Sequence, residues 1–422
     1  MHLRKVNENF KNFMKNFLGI LVLFFLIFTN FANAKKSKNT WDFPFNYYKK
    51  FKIEGSKNAY EFESNLRKDN DVSKEIKNNK ETGLISYLLF EDNKIVIDES
   101  EIPKKTAKGD LIVDELLPSH SMGKSLVSYV LGHAICEGYI SNINEKLTGW
   151  KLVENTLFED QVLIDLLNMT AGDQKYVGQR IEPQEDNILK KDQSVNVNTI
   201  PLEILLKKYF QNTKKSKAVY NYSALTTNVL MNYTIFKTGE DWEKLLHKVF
   251  NEHVKVKDDV YFYQTLKMNE GSKSKICKSE PKYSNVWYQN KCDEVFDGKE
   301  TGRYSFLANR YDYLRIAKTI MEDWHNDTCP GKYLKTIYKN RIKKKDNTKH
   351  ETDVGLYTKT YGGQFHFDIF GIDKKRKIIG LSGFAGQQIL IDLDNKRIIV
   401  VNSLYRNYDW KKIVHKKIEK GS

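Results

Sequence analysis

Segments with the character of β-strands lie near both ends of the chain, and segments with helical periodicity lie between them. The apolar segments Leu84–Phe90 and Ile95–Asp98 flank a turn-forming run at 91–94, which predicts a β-hairpin. Three later segments alternate or are rich in β-branched residues: Gln364–Phe370, Gln388–Asp392 and Arg397–Val401. This order predicts a mixed α/β (α+β) fold, in which helices flank an antiparallel sheet built from both chain ends and a mostly helical region is inserted.

The clearest helical segment begins at Ser121. Apolar residues recur there at helical spacing from Leu126 to Ile135, and Gly138 stands where the helix is expected to end. Further helices are expected at residues 162–169, 202–210, 225–236, 311–321 and 410–418. The polar stretches 173–200 and 255–300 have no clear period, so we expect a loop-rich excursion and a surface insertion.

Composition predicts a folded chain with a basic surface. Of its 422 residues, 40% are hydrophobic and 13% aromatic, which is enough for a large core. The formal net charge is +15, but the lysines are spread along the chain and no common nucleic-acid-binding motif accompanies them. We therefore expect no nucleic-acid partner.

The N-terminal residues have the three parts of a secretory signal peptide. A basic start is followed by the apolar run Phe17–Phe28 and by small residues at Ala32 and Ala34. We expect cleavage after Ala34, which leaves a periplasmic or secreted protein without a stable membrane span. An uncleaved anchor is the alternative, although the apolar run is shorter than the ~20 residues that cross a bilayer.

Three regions are expected on this basis. Residues 1–34 are the signal peptide, residues 35–80 an N-terminal extension of short helices and loops, and residues 81–422 a single domain. Within that domain, the sheet is expected from 81–115 and 360–422, and the helical region at about 140–355.

The chain has four cysteines, and export permits disulfides. Cys136 lies in an apolar helical run and is expected to be a buried thiol. Cys277 and Cys292 flank a polar loop and are the expected bridge, although Cys329 could replace either of them. Their spacing does not match a zinc site, and no histidine cluster accompanies them. We expect neither a metal nor an organic cofactor.

The first candidate for chemistry is the Ser-x-x-Lys pattern of Ser121 and Lys124. Positions i and i+3 share a helix face, so the hydroxyl can meet the amine, and a serine becomes a nucleophile when a base takes its proton. The same pattern occurs at Ser272 and Ser279, but only Ser121 opens a long apolar helix. The structural alternative is that Ser121 is an ordinary helix N-cap.

Two further candidates lie downstream. The segment Tyr220-Asn221-Tyr222-Ser223 precedes a helical run, and a tyrosine on such a loop can relay a proton near a lysine, although simple packing is the alternative. The Gly-rich segment around Gly383 and Phe384 leads into a strand. Its backbone N–H groups could help the N–H of the nucleophile to form an oxyanion hole, or it is only a turn before an edge strand.

Taken in order, these features resemble the class C β-lactamase-like serine hydrolases of the penicillin-recognising superfamily, in the style of the 6-aminohexanoate-oligomer hydrolase and esterase branch. Four stretches carry the resemblance: SMGKSLVSYVLGHAICEGYI, LIDLLNMTAGD, YNYSALTTNVL and GFAGQQILIDLDNKRIIVVNS. Together they extend over most of the chain after the first 80 residues. The resemblance implies a β-lactamase/transpeptidase-like fold and a hydrolase acting on a small-molecule ester, amide or peptide.

The resemblance also implies a role for each matched residue. Ser121 matches the acylated serine, Lys124 the activating lysine and Tyr222 the proton-relay tyrosine. Gly383 matches the glycine of the third motif, so the N–H of Phe384 would be the second oxyanion donor beside that of Ser121. Two positions depart from the family: Ala224 replaces an Asn, and Leu381 replaces a Lys or His. These departures argue against efficient turnover of β-lactams or D-Ala-D-Ala.

Other interpretations stay open at this point. The stretch PSHSMGKS resembles the nucleophile elbow of an α/β-hydrolase with Ser119 replacing its first glycine, but that fold requires a strand directly before it. A non-catalytic binder of cell-wall fragments or peptides, a D,D-peptidase and a β-lactamase would share the fold. The natural substrate and the oligomeric state are not predicted.

Overall fold

A computed structural model of the chain describes residues 49–102, 116–177, 202–264, 301–344, 358–369, 372 and 375–403. All of these residues belong to one unit of the chain, Thr40–Ser422. The expected signal peptide, the helix at 410–418 and the Cys277–Cys292 bridge lie outside the described residues. In the part of the chain that is described, no helix has the length and hydropathy needed to cross a membrane.

Nine strands of the described residues form the larger sheet, and four form a smaller one. The strands are β1 Lys49–Ile53, β2 Glu63–Ser64, β3 Leu84–Glu91, β4 Lys94–Ser100, β5 Leu117–Pro118, β6 Val260–Gln264, β7 Gly302–Ala308, β8 Ile342–Lys343, β9 Thr358–Gly362, β10 Phe365–Ile369, β11 Ile378–Gly383, β12 Gln387–Asp392 and β13 Arg397–Ser403. The large sheet has the order β2-β4-β3-β13-β12-β11-β10-β9-β8, and the small sheet has the order β1-β6-β7-β5.

The large sheet joins the early hairpin to the last strands, as the sequence predicts. The pairing of β3 with β13 is antiparallel, with Leu88 opposite Val400. Side chains alternate between two hydrophobic clusters: Ile398 and Val400 enter the main core, and Ile399 enters the cluster on the opposite face. Both faces are therefore buried, which explains why these strands are apolar throughout instead of half polar.

Helices pack on both faces of this sheet. The helices of the described residues are α1 Asn70–Lys77, α2 Asn79–Thr82, α3 Met122–Cys136, α4 Leu163–Leu167, α5 Leu202–Tyr209, α6 Ala224–Thr238, α7 Trp242–His247, which continues as a π-helical turn Lys248–His253, α8 Arg310–Asn326 and α9 Cys329–Lys339. One face contacts α3 and α8, and the other contacts α1.

Helix α3 is the central helix of the molecule. Each residue from Met122 to Ala134 is buried, so the helix is enclosed on all sides. It ends where the sequence predicts, because Gly138 adopts the left-handed conformation with φ of +80°. The helices predicted at 162–169, 202–210, 225–236 and 311–321 are also present, with slightly different ends.

The small sheet is the main feature that the sequence did not reveal. Strand β1 lies in the segment that was expected to form short helices and loops. Its alternation is only four residues long, Lys50 to Ile53, and it becomes a strand because Phe51 pairs opposite Phe262 of β6. At the other edge of this sheet, β5 pairs with β7, with Pro118 opposite Leu307. This pairing fixes the chain just before Ser121.

The cysteine expectation was wrong for Cys136, which is bonded to Cys329 with a Cα–Cα separation of 5.8 Å. Cys136 is the last residue of α3 and is only partly buried, and Cys329 is the first residue of α9. The two helices pack closely, since a Cβ on Gly132 would lie 2.5 Å from the ring of Tyr333. Sequence spacing could not reveal this pair, because 193 residues separate its members.

Prediction: peptide mapping of the non-reduced protein finds Cys136 linked to Cys329. Replacing both with serine lowers the free energy of unfolding by about 2–4 kcal/mol, because the cross-link restricts the unfolded chain. The matched control is the same pair of proteins in dithiothreitol, where the difference should disappear. A peptide that joins Cys329 to Cys277 or Cys292 would contradict the pairing.

Candidate active site

Ser121 and Lys124 meet at the start of α3. The Lys124 Nζ donates a hydrogen bond to the Ser121 Oγ at 2.9 Å. Ser121 occupies the N-cap position, but its side chain makes no capping hydrogen bond to the helix. The hydroxyl is thus directed to the amine and not to the backbone, contrary to what an ordinary N-cap serine does. The i, i+3 geometry inferred from the sequence is therefore present.

The turn before Ser121 is anchored to strand β7. The Ser119 N–H donates to the Phe306 carbonyl at 2.8 Å, and the Phe306 N–H donates to the Ser119 Oγ at 2.9 Å. Between Ser119 and Ser121, His120 has φ of +47°, an uncommon value for a residue with a side chain. Gly123 lets β7 approach, because a Cβ there would lie 1.9 Å from the Tyr304 carbonyl oxygen.

Tyr222 lies beside the same amine. It directly precedes α6, whose N-cap is Ser223, with the Ser223 Oγ accepting from the Thr226 N–H at 3.5 Å. The ring centroid of Tyr222 is 4.9 Å from the Lys124 Nζ. The structure therefore brings together all three residues that were predicted as catalytic from the sequence: Ser121, Lys124 and Tyr222.

The stretch LIDLLNMTAGD positions the tyrosine loop. The buried carboxylate of Asp173 accepts hydrogen bonds from the Asn221 Nδ2 at 2.6 Å and from the Thr226 Oγ1 at 3.0 Å. The Asn221 N–H also donates to the Met169 carbonyl at 2.8 Å. These bonds hold the residues on both sides of Tyr222, so this stretch acts on the site through the tyrosine loop.

Tyr304 is a fourth residue of the site, and the sequence alone did not point to it. Its ring centroid is 3.7 Å from the Lys124 Nζ, closer than that of Tyr222. It lies on β7, between Arg303 and Ser305, in a segment that carries no motif. Tyr304 lies beside Lys124 because β7 pairs with the residues just before Ser121, and no local sequence pattern indicates that pairing.

The two phenols determine the protonation of the buried amine. Lys124 is 2% exposed, and this burial acts to lower its pKa. The electrostatic and hydrogen-bonding interactions of Lys124 with Tyr222 and Tyr304 act in the opposite direction, and the pKa of Lys124 is raised overall. Burial and the nearby Lys124 charge lower the pKa of His120 to about 4, so its imidazole is neutral at pH 7.

The end of β11 lies beside the nucleophile turn. A Cβ on Gly383 would lie 2.3 Å from the Ser119 carbonyl oxygen, so only glycine permits this approach. The next residue, Phe384, places its ring 5.8 Å from that of His120 and is 42% exposed. The structure thus brings Gly383 and Phe384 to the predicted place, and their oxyanion role stays a prediction.

The departures from the family pattern also have a physical consequence. Leu381 is fully buried in the main hydrophobic core, where the resembled enzymes carry a cationic side chain. Ala224 begins α6 and carries no amide. Among the described residues, these two positions offer neither charge nor hydrogen-bonding groups to a substrate carboxylate or amide.

Prediction: Tyr304→Phe makes Ser121 reactive at lower pH. Burial of Lys124 persists in this variant while one of the groups that raise its pKa is lost, so the neutral amine forms at lower pH. The measurement is the rate at which a fluorophosphonate labels Ser121 as a function of pH, with the midpoint, not the maximum rate, as the readout. Tyr139→Phe removes a phenol that hydrogen-bonds Asp241 instead and is the matched control. An unchanged midpoint in Tyr304→Phe would show that this phenol does not act on Lys124.

The architecture does not match an α/β-hydrolase. The strand before Ser121 has only two residues and belongs to an antiparallel sheet. Among the described strands, only β2 and β4 pair in parallel. An α/β-hydrolase elbow requires a strand of a mostly parallel sheet, so the interpretation based on Ser119 is wrong.

Comparisons with known proteins give matches at the level of structure. No family model and no curated protein sequence matches the chain. A solved structure from Bacillus anthracis, described as a 6-aminohexanoate-dimer hydrolase, superposes with a TM-score of 0.57 at 12% identity, covering 92% of this chain and 96% of the other. A class C β-lactamase from Rhodobacter sphaeroides gives a TM-score of 0.54 at 11% identity, covering 83% of this chain and 98% of the other.

A protein from Bacteroides dorei described as a β-lactamase gives the same values as the Rhodobacter enzyme: a TM-score of 0.54, 11% identity, and coverage of 83% of this chain and 98% of the other. Identities this low carry information about the fold and not about substrates. The mixed helices and antiparallel sheets, together with these superpositions, agree with the fold predicted from the sequence. The chain therefore has the fold of the class C β-lactamase-like hydrolases.

Proposed function

We propose that the protein is a serine hydrolase that cleaves an ester or amide bond through an acyl-enzyme on Ser121. The observation that carries the proposal is the 2.9 Å hydrogen bond from Lys124 to Ser121. It replaces the expected capping bond and joins a nucleophile to a buried amine with two phenols beside it. A buried amine is costly to maintain, and a purely structural serine needs no such partner.

The proton of Ser121 passes to the group formed by Lys124 and its phenols. The raised pKa of Lys124 means that its neutral amine, which is the form able to take the serine proton, becomes more abundant as the pH rises. Tyr222 lies beside this amine and relays the proton towards the leaving group. The serine oxygen attacks the substrate carbonyl as this proton leaves.

The rest of the cycle uses the groups around the nucleophile. The oxyanion is stabilised by the backbone N–H groups of Ser121 and Phe384, at the end of β11. Tyr222 gives a proton to the leaving alcohol or amine as the carbon–oxygen or carbon–nitrogen bond breaks. Water then attacks the acyl-enzyme and transfers a proton to the same group. This proton passes to the Ser121 oxygen as the acyl–oxygen bond breaks, which releases the acid and restores the serine hydroxyl.

The substrate proposed is a small ester, amide or peptide and not a β-lactam. A β-lactamase or D,D-peptidase is the second candidate, since two of the compared structures are described as β-lactamases. Leu381 and Ala224 disfavour it, because they remove the cation and the amide that would bind such a substrate. A non-catalytic binder is a third candidate, and the pairing of Ser121 with Lys124 disfavours it.

Prediction: a fluorophosphonate labels Ser121, and Ser121→Ala abolishes both labelling and hydrolysis of p-nitrophenyl esters. Lys124→Ala lowers turnover by about 10³-fold or more, because the two residues act as one unit. Mass spectrometry locates the labelled residue. Ser272→Ala and Ser279→Ala are matched controls, since both carry the same Ser-x-x-Lys pattern and should keep full activity.

The same assay separates the candidates. A chromogenic cephalosporin should be hydrolysed poorly next to the esters, and rapid turnover would favour the β-lactamase. A correctly folded protein that no fluorophosphonate labels would favour the binder and end the proposal. Wild-type turnover in Lys124→Ala would refute the role given to the lysine.

We also propose that the protein is exported, with residues 1–34 as its signal peptide. The disulfide between Cys136 and Cys329 supports export, because such bonds persist in oxidising compartments and are rare in the cytosol. The proposed location is the periplasm or the medium.

Prediction: protein recovered from the periplasm or medium of an expressing bacterium begins at Lys35. A charged residue at the last position of the signal, Ala34→Lys, blocks cleavage because that position requires a small side chain. Asn33→Ser, one position earlier, is the matched control and should be processed normally. Mature protein that retains Met1 would rule out cleavage.

A further inference from the structure

A cluster of two histidines and an aspartate lies near the C-terminal end of α3. His133 comes from α3, His253 ends the π-helical turn, and Asp323 comes from α8. One ligand-type atom of each residue lies within 4.8 Å of the others. Three separate helical elements thus bring side chains of metal-ligand type close together. No step of the proposed hydrolysis uses these side chains.

We propose that His133, His253 and Asp323 bind a divalent transition-metal ion of the Zn²⁺ type. Imidazole nitrogens and a carboxylate oxygen are ordinary zinc ligands. The site is structural: His133 is nine residues beyond Lys124 in the same helix, about 14 Å along its axis at 1.5 Å per residue. The ion would therefore not touch the reacting atoms.

The spacing of two ligands already suits an ion. The His253 Nε2 is 3.0 Å from one oxygen of Asp323 and 3.1 Å from the other. Two ligands of a tetrahedral ion with bonds of about 2.0 Å are about 3.3 Å apart, so these atoms need to separate only slightly. The ring of His133 has its centroid 5.0 Å from that of His253 and must move closer to complete the site.

The independent observation is the orphaned nitrogen of His133. This residue is 5% exposed, and its Nε2 is buried without a hydrogen-bond partner among the described residues. A buried polar atom without a hydrogen-bond partner is unfavourable and calls for an explanation, such as an ion that it binds. The unpartnered nitrogen of His133 is a donor atom that a metal ion would satisfy.

A second layer of hydrogen bonds holds the carboxylate in place. Asp323 also accepts from the Tyr129 hydroxyl and from the Thr328 Oγ1, the latter at 2.7 Å. Together with the His253 Nε2, these groups surround the Asp323 carboxylate with hydrogen-bond partners. Such partners are typical of metal sites, where they orient the ligands.

The residues around the cluster would let an ion enter from solvent, and the ion would link neighbouring helices. The side chain of His253 is 34% exposed, so solvent can reach the site and a water can complete the coordination. The disulfide lies next to the cluster, since Cys136 is three residues after His133 and Cys329 directly follows Thr328. A metal would tie α8 and the π-helical turn to α3, just as the disulfide ties α9 to it.

The test uses the purified full chain in its oxidised form, with any free thiol alkylated so that cysteines cannot bind the probe. After removal of metals with EDTA, Zn²⁺ alone is titrated by calorimetry, and Co²⁺ is added separately to report tetrahedral coordination by its visible absorption. We expect one ion per chain and a higher melting temperature with Zn²⁺ than without it.

Two variants make the test specific. His253→Ala removes a partly exposed ligand, and it should weaken Zn²⁺ binding at least about 100-fold and abolish the thermal shift. His247→Ala removes an exposed histidine from the same helical run and should bind like the wild type. No Zn²⁺ binding by the wild type, or binding that His253→Ala leaves unchanged, would overturn the proposal.

Discussion

The hydrogen bond between the Lys124 amine and the Ser121 hydroxyl is the interaction around which the candidate site is arranged. An amine at the centre of the molecule needs polar partners, because burial without them costs several kcal/mol. Ser121, Tyr222 and Tyr304 supply those partners from three different elements. The amine that we propose activates the serine is thus also the group whose burial requires these polar partners to come together.

The two sheets position different residues of this site. The large sheet brings the end of β11, with Gly383, to the nucleophile turn. The small sheet holds that turn through the hydrogen bond between Ser119 and Phe306, and its strand β7 places Tyr304 beside Lys124. Helix α3 crosses between them and is buried on every side, so a shift of either sheet would move the serine relative to its partners. A rigid enclosed helix suits a site that needs fixed distances.

The two ends of α3 have different roles. The start carries the proposed chemistry, whereas the end is fastened to its neighbours by the Cys136–Cys329 disulfide and, as we propose, by a metal ion at His133. Cross-links at the far end can limit motion of the helix without altering the reacting groups. The groups proposed to react and the links proposed to stabilise the fold thus lie at opposite ends of α3. The proposed hydrolysis and the proposed metal site can therefore be tested independently.

The sequence by itself determined the features that depend on neighbouring residues. Helical spacing revealed α3, and the i, i+3 relation of Ser121 and Lys124 predicted their contact, because helix geometry is local. Tyr222 and Gly383 were found through a resemblance whose motifs are also local. Only the tertiary structure decided the place of Tyr304, the cysteine pairing and the cluster at His133. Their partners come from distant parts of the chain, and such contacts form only when strands and helices pack, which no short pattern encodes.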